Sequence, residues 1–310
     1  MTHADPTVEQ AARALAGGAL VILPTETVYG LAADAAEPRA VAALFEAKGR
    51  PRFNPLIAHV TGLAMAETFA GFDDRARALA KAFWPGPLTL VLPVTDAAAV
   101  CDLARAGLDS VAVRAPAHPL AKGVIAALGR PVVAPSANRS GRPSPTTYAD
   151  ALEETGAFAL AALDGGPCAV GLESTVVALL DAPRLLRPGA VTRAQIEAVI
   201  GPLAEAEDDA KRSPGRLARH YAPQAPVRLD VIAPEPDEAY LAFGPGAPEG
   251  PQVFNLSPTG DLAEAAAHLF AYLRAADRTA PRAIAVAPIP AHGLGEAITD
   301  RLRRAAGFVG

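Results

Sequence analysis

A cationic turn between a helix pattern and a strand pattern constrains this chain more than any other sequence feature. Residues 38–47 are typical of a helix and residues 56–60 of a buried strand, and Lys48, Arg50 and Arg52 lie close together between them. Arginine presents a planar fork of donors to a phosphate or carboxylate, and lysine presents a mobile charge. The turn therefore indicates an anion site, although short basic runs are more often solvated surface loops.

The composition is that of a globular protein with a sizeable core. Of the 310 residues, 51% are hydrophobic and 20% are charged. The net charge of −5 disfavours a nucleic-acid binder held mainly by electrostatic attraction. Cys101 and Cys168 have neither disulfide-framework nor metal-site spacing, which suits a reducing compartment. Because no apolar run approaches the roughly 18 residues of a membrane span, we expect a cytoplasmic protein with no membrane contact.

Two polar turns follow predicted strands and are candidate ligand sites. Residues 24–30 (PTETVYG) follow the apolar run 19–23, and residues 135–144 (PSANRSGRPS) follow the run 131–134. Ligands bind where strands end, and hydroxyls and main-chain N–H groups in such turns can hold phosphate oxygens. The simpler alternatives in the first turn are that Thr25 only caps and that the glycine at its end only permits a positive φ.

The composition changes between about residues 202 and 226. An acidic run leads into a segment rich in proline and glycine, which is typical of an extended interdomain linker. His220 and Tyr221 are unusual residues for a passive linker. Beyond them, short strand patterns alternate with two helix patterns, which predicts a second, small α/β domain.

Several catalytic motifs are absent from the sequence. It contains no G-x-x-x-x-G-K-[ST], H-E-x-x-H, G-x-S-x-G or C-x-x-C motif, which disfavours P-loop, metalloprotease, α/β-hydrolase and thiol-redox chemistry. The polar turns instead indicate a site that positions anions without a protein nucleophile. Such a site suits transfer at phosphorus, where catalysis is mostly positioning and charge neutralisation.

Seven segments in order closely resemble the YrdC-like family. They are PTETVYG (24–30), KGRP (48–51), NPLIAH (54–59), FWPGPLTL (83–90), SANRSG (136–141), GLEST (171–175) and LRPG (186–189). The resemblance covers about residues 10–200. The His-Tyr-Ala-Pro segment of the linker, followed by a small α/β domain, is similar to the two-domain form of the family.

The resemblance implies a fold and a reaction. Residues 1–203 would form an α/β catalytic domain with a twisted mixed sheet and a concave basic cavity, residues 204–226 a linker or lid, and residues 227–310 a small Rossmann-like α/β domain. The reaction would be the nucleotidyl transfer that makes L-threonylcarbamoyl-AMP from L-threonine, ATP and bicarbonate or carbon dioxide, with release of pyrophosphate. Magnesium would accompany ATP, and the position of its ligands stays open. The product would pass to a tRNA threonylcarbamoyl transferase complex, and direct contact with tRNA stays open.

The resemblance also implies roles for individual residues. The threonine site would consist of Thr27, His59, Arg114, Ser174 and the main chain at Ala134. The ATP site would consist of Arg50, Asn54, Ser110, Ser136, Ser144, Arg187 and Tyr221. His220 would belong to the lid, and Lys48 and Asn138 would form a polar cluster at the reacting phosphate or carbamate. A cation there stabilises developing charge, so Lys48→Ala should lower turnover more than ATP affinity.

Two other functions stay open at this point. A double-stranded RNA-binding module without catalysis is one, because the YrdC-like cavity is basic. Carbamoyl transfer in hydrogenase maturation is the other, but that architecture brings acylphosphatase-like and zinc-finger segments, which this sequence lacks. The negative net charge and the hydroxyl-rich turns favour the synthase.

Overall fold

The computed structural model describes residues 6–204 and 220–307, so most of the predicted linker lies outside the described residues. The α-helices in this part of the chain are α1 Val8–Ala16, α2 Pro38–Lys48, α3 Leu63–Ala66, α4 Asp74–Phe83, α5 Asp102–Arg105, α6 Pro119–Leu128, α7 Tyr148–Thr155, α8 Arg193–Ile200, α9 Leu262–Arg278 and α10 Leu294–Ala305. The strands are β1 Leu20–Leu23, β2 Gly30–Asp34, β3 Ile57–His59, β4 Leu88–Pro93, β5 Ser110–Arg114, β6 Val132–Val133, β7 Ala159–Ala162, β8 Thr175–Ala178, β9 Arg184–Arg187, β10 Val227–Arg228, β11 Ala239–Ala242, β12 Val253–Asn255 and β13 Ile284–Val286.

The first domain is built on a nine-stranded mixed sheet with the order β7-β1-β2-β6-β3-β5-β4-β8-β9. Its pairs β1–β7, β3–β5 and β4–β8 are parallel, and its other pairs are antiparallel. The second domain has a four-stranded parallel sheet with the order β10-β13-β11-β12. The α/β class and the mixed sheet predicted for the first domain are confirmed.

Local signals in the sequence explain where the helices begin and end. At α1, Thr7 and Gln10 form a reciprocal capping box. The helix α2 begins with Pro38 at its first position and ends at Gly49, which has the left-handed φ of 59°. That glycine turns the chain out of the helix directly at the predicted cationic segment.

The core of the first domain lies between the large sheet and its helices. Leu31 from β2 and Leu44 and Phe45 from α2 are at most 2% exposed and belong to one large apolar cluster. Complete burial of such side chains contributes about 1.5–3 kcal/mol each to folding. The packing holds α2 against β2, and thereby fixes the position of the turn that follows α2.

The two domains share an apolar interface. Val28 and Leu172 of the first domain belong to the same buried cluster as Tyr221 and Phe270. At Gly171 a Cβ would lie 2.5 Å from the carbonyl oxygen of Ala266 in α9, so this glycine permits the close approach of the domains. The second domain is therefore packed directly against the segment that precedes β8.

Three differences from the sequence-based expectations have physical reasons. The predicted strand over residues 227–232 is shorter, because Asp230 adopts a φ of 58° that cannot continue a strand. Helix α6 was not predicted, although Pro119 at its start and Gly129 at its end are typical helix boundaries. Gly30 has no positive φ, and its Cβ would lie 3.1 Å from that of Ala134, so it permits a close approach between neighbouring segments.

Candidate active site

A cavity lies at one edge of the large sheet, where the segments with the predicted polar residues converge. The residues that line it are Thr27, Val28, Arg50, Pro55, Leu56, Ile57, His59, Arg114, Ala134, Pro135, Ser136, Glu173, Ser174, Arg187, His220 and Tyr221. They come from strand ends and turns far apart in the chain. The sheet therefore assembles one polar site from separate sequence motifs.

Arg114 occupies one end of the cavity, at the last residue of β5. Its Nη1 donates to Thr27 Oγ1 at 2.8 Å, its Nε donates to the Gly86 carbonyl at 3.1 Å, and its Nη2 pairs with Glu26 Oε1 at 2.6 Å. Contacts with these described residues use three of the five N–H groups of a guanidinium. Two N–H groups of Arg114 remain, and its place in the threonine site stays a prediction.

His59 lies beside Arg114 because β3 and β5 are parallel neighbours with these two residues in register. Its Nδ1 is 3.1 Å from the Ile57 carbonyl, which can only accept, so Nδ1 carries the hydrogen. Burial, together with the charge of Arg114, lowers the pKa of His59 to about 3. The ring is therefore neutral at physiological pH, and its Nε2 is an acceptor.

Ser174 connects the part of the cavity at Arg114 and His59 with the part that contains Arg187. Its hydroxyl is 2.7 Å from Thr89 Oγ1 and accepts from Arg187 Nη2 at 3.2 Å. The Nε of Arg187 also donates to the Ser174 carbonyl at 3.0 Å. These bonds fix the Arg187 side chain on the edge strand β9 against the start of β8.

Arg50 lies at the other side of the cavity, in the turn after α2. Its Nη2 donates to the Pro55 carbonyl at 3.1 Å, which folds the turn back on itself. Burial lowers the pKa of Arg50 to about 10, with the nearby Tyr221 raising it and Arg187 lowering it further. Arg50 is thus cationic at neutral pH, and together with Arg187 it gives the cavity a positive end.

Lys48 is buried, with 3% of its surface exposed, so the alternative of a solvated basic loop is wrong for this residue. Its Nζ donates to the carbonyls of Ser136 and Asn138. Burial, with a contribution from Arg50, holds the pKa of Lys48 well below its usual range. Lys48 therefore supports the second polar turn from behind and does not line the cavity.

His220 and Tyr221, the first described residues after the gap, lie inside the cavity rather than at its mouth. They are 6% and 1% exposed, and their rings meet edge to face with centroids 4.0 Å apart. Tyr221 also packs on Phe270 of α9, with centroids 5.3 Å apart. Both rings line the cavity, whose volume with them in place is about 50 Å³.

Two carboxylates of the site were not singled out from the sequence. Glu26 holds Arg114, and Glu173 accepts from the Ser144 hydroxyl and from Arg301 of α10 at 2.9 Å. Both lie in segments that resemble the YrdC-like family, and this resemblance could have indicated them as site residues. No sequence pattern indicated Arg301, because its partner Glu173 lies 128 residues away in the chain.

The structure brings ten of the fifteen predicted site residues around the cavity. These are Thr27, Arg50, His59, Arg114, Ala134, Ser136, Ser174, Arg187, His220 and Tyr221. The other five are buried but do not line the cavity, namely Lys48, Asn54, Ser110, Asn138 and Ser144. Among the described residues, the buried amide oxygens of Asn54 and Asn138 have no hydrogen-bond partner, which is unusual in a protein interior. The ligand roles of all fifteen stay predictions.

The described ranges 6–204 and 220–307 contain neither a cluster of metal ligands nor a membrane-spanning helix. No group of three or more His, Cys, Asp or Glu side chains is arranged there to hold a metal ion. No helix in these ranges has the length and apolar character required to cross a bilayer.

Comparisons with known proteins agree on one family. The Sua5/YciO/YrdC family model, described as telomere recombination, matches residues 13–189, and the model described as threonylcarbamoyl-AMP synthase, C-terminal domain, matches residues 191–307. The threonylcarbamoyl-AMP synthase of Bacillus subtilis is 39% identical, over 98% of this chain and 94% of its own length. That of Pyrococcus abyssi is 42% identical, over 94% of this chain and 91% of its own length.

A solved structure shares the whole architecture. The crystal structure of P. abyssi Sua5 complexed with L-threonine aligns with a TM-score of 0.88 and 40% identity, over 97% of this chain and 94% of that one. The similarity therefore extends over both domains. The chain belongs to the Sua5/YciO/YrdC family, in the two-domain form of the threonylcarbamoyl-AMP synthases.

Proposed function

We propose that this protein is a nucleotidyltransferase that makes L-threonylcarbamoyl-AMP and pyrophosphate from L-threonine, ATP and bicarbonate or carbon dioxide. One observation carries the proposal: a single cavity has Arg114, Thr27 and His59 at one end and Arg50 and Arg187 at the other. The first end suits an amino acid, and the second suits a triphosphate. The names of the similar synthases and the threonine complex of the P. abyssi protein support the same function.

The amino-acid end has the groups that threonine requires. The two remaining N–H groups of Arg114 suit the carboxylate, since a guanidinium binds a carboxylate through two parallel hydrogen bonds. The acceptor Nε2 of His59 and the hydroxyl of Ser174 suit the threonine hydroxyl. Held in this way, threonine keeps its nitrogen free to react.

The reaction requires positioning more than covalent catalysis. The neutral amine of threonine adds to carbon dioxide and releases a proton to solvent, or condenses with bicarbonate and releases water, and either route gives a carbamate. A carbamate oxygen then attacks the α-phosphorus of ATP. The bond from that phosphorus to the bridging oxygen breaks, and pyrophosphate leaves. Arg50 and Arg187 would neutralise the phosphate charge in a site from which His220 and Tyr221 exclude water.

The proposal also covers the role of magnesium, the next step for the product and the cellular compartment. The cation would enter with ATP as part of the substrate, because the cavity is lined by hydroxyls and arginines rather than by a cluster of carboxylates. The product would pass to a tRNA threonylcarbamoyl transferase complex, and the protein would act in the cytoplasm. No step of the mechanism above is assigned to the metal.

The test is pyrophosphate release from ATP and bicarbonate, measured with each amino acid in turn. Release that depends on threonine, together with L-threonylcarbamoyl-AMP identified by mass spectrometry, is the expected result. Arg114→Ala should abolish the dependence on threonine, whereas Arg39→Ala, an exposed arginine of α2, should not change it. No release with any amino acid from a folded protein would reject the proposal and favour the RNA-binding alternative.

A further inference from the structure

Arg301 lies in α10 of the second domain, yet its guanidinium reaches the cavity of the first. The side chain is fully buried, and its Nε donates to Glu173 Oε2 at 2.9 Å. Its Cζ lies 5.5 Å from the centre of the Tyr221 ring. Because Glu173 and Tyr221 both line the cavity, Arg301 supports two parts of the wall from behind.

Glu173 brings a negative charge to a cavity that is also lined by Arg50 and Arg187. Burial alone would raise the pKa of Glu173, but the charges of Arg301 and Arg187 and the hydrogen bond from Ser144 together hold the pKa below its usual range. The carboxylate is therefore ionised at neutral pH. Without a counter-charge, it would repel a triphosphate at short range in a medium that screens poorly.

The contacts of Arg301 distinguish its role from those of Arg50 and Arg187. Its Nη1 pairs with Asp300 at 2.7 Å, so two carboxylates hold the guanidinium behind the wall. It is not among the lining residues, whereas Arg50 and Arg187 are. Arg301 is thus placed to compensate a charge of the wall rather than to bind a phosphate.

We propose that Arg301 is a positioning residue of the nucleotide site. It neutralises Glu173, fixes the carboxylate that accepts the Ser144 hydrogen bond, and supports the Tyr221 ring. Through this one side chain, the second domain determines how tightly the first domain binds its nucleotide. The inference rests on the proposed function, in which that nucleotide is ATP.

The test compares Arg301→Met, Glu173→Gln and the double variant in the full-length protein. Binding of a non-hydrolysable ATP analogue and of threonine is measured by calorimetry, and KM is measured for both substrates. Arg301→Met should weaken analogue binding at least about tenfold, because a buried carboxylate loses its partner. Threonine binding should stay within about twofold. In the double variant, analogue affinity should return to within about threefold of that of Glu173→Gln.

Arg278→Met is the matched control. This α9 arginine also crosses the domain interface, where it pairs with Asp150 and with Glu153 at 2.6 Å, but its side chain is 51% exposed and does not line the cavity. Analogue affinity should not change in this variant. A general loosening of the domain interface would affect both arginine variants, whereas compensation of Glu173 affects only Arg301→Met.

Two results would overturn the proposal. One is unchanged analogue affinity in a folded Arg301→Met protein. The other is a loss of affinity for both the analogue and threonine in Arg301→Met that adding Glu173→Gln does not reverse. If Arg301→Met does not fold, Arg301→Lys decides. The lysine keeps the charge but loses the planar fork of donors, so analogue binding should weaken while threonine binding stays within about twofold. An equal loss for both substrates in the folded lysine variant would overturn the proposal. If the protein binds the analogue but makes no product, the proposed function is rejected. The comparison of analogue affinity among the Arg301 and Glu173 variants still tests the role of Arg301.

Discussion

Arg114 and Glu26 form an ion pair at the end of the cavity where we propose that threonine binds, with Nη2 2.6 Å from Oε1. The two residues are 88 positions apart, and Glu26 also accepts from the main-chain N–H of Ala117 at 3.0 Å. Glu26 therefore anchors Arg114 to the chain that follows β5. The direction in which the Arg114 guanidinium faces the cavity depends on this carboxylate.

Glu26→Ala should raise KM for threonine about tenfold, since hydrogen bonds to charged groups contribute about 1.5–3 kcal/mol. KM for ATP should change less than about twofold, because Arg50 and Arg187 lie at the other end. Steady-state kinetics with each substrate varied measure both values. Glu26→Gln, which keeps an acceptor, should show a smaller effect. A threonine KM equal to that of the unmodified protein would show that Arg114 needs no anchor.

The pH dependence of stability should reveal the buried neutral histidines. In the folded protein the pKa of His59 is about 3, below its usual 6.5. Between these values the unfolded chain binds the extra proton, so stability is lost as pH falls from about 6.5 towards 3. The slope for one such group is up to about 1.4 kcal/mol per pH unit.

The measurement for this prediction is urea unfolding at pH 7 and pH 5. The free energy of unfolding should fall less between these two pH values for His59→Gln than for the unmodified protein. His220, whose pKa burial also lowers to about 3, contributes with the same sign in both proteins and cancels in the comparison. Equal slopes would mean that His59 titrates normally when the protein is folded.

Lys48→Met should destabilise the protein even without a ligand. The substitution removes the lysine donor from the buried carbonyl of Asn138 and from the partly buried carbonyl of Ser136. A buried group left unsatisfied costs about 1–3 kcal/mol. Urea unfolding of the ligand-free protein measures the loss. A residue that only contacts the reacting phosphate would leave this stability unchanged or higher, so the experiment separates support of the turn from the predicted role in turnover.

Gly171→Ala should separate backbone strain from interdomain contact. Gly171 has a φ of 73°, and a Cβ there would lie 2.5 Å from the Ala266 carbonyl oxygen. Gly129 has a φ of 76°, but a Cβ there would meet nothing within 4 Å, so Gly129→Ala is the matched control. The control should cost about 1–2 kcal/mol from strain. Gly171→Ala should cost about 3 kcal/mol or more, because α9 must shift. Equal melting temperatures for the two variants would contradict the close approach.

The site residues that could be predicted from the sequence are those that lie in short, recognisable sequence segments. Arg50, Thr27 and Ser174 lie within short segments that resemble the family, and each follows a helix or adjoins a strand with a clear pattern. The structure places all three at the cavity. The α/β class of both domains was predictable for the same reason, since alternating strand and helix patterns are local.

The parts that were missed depend on distant partners or on weak patterns. Strand β7 has the sequence ALAA, without β-branched residues, and is defined by its pairing with β1. Arg301 has an ordinary position in an amphipathic helix, and only the packing of α10 against the first domain gives it Glu173 as a partner. A single sequence carries no information about such pairs.

The distance of 128 residues between Glu173 and Arg301 has a consequence for synthesis on the ribosome. At a translation rate of about 10 residues per second, Arg301 is made on the order of ten seconds after Glu173. The nascent chain therefore passes through a stage in which all strands of the large sheet have been translated, while Glu173 in the cavity wall still lacks its ion pair with Arg301. The wall of the cavity is complete only after α10 has emerged and docked against the first domain.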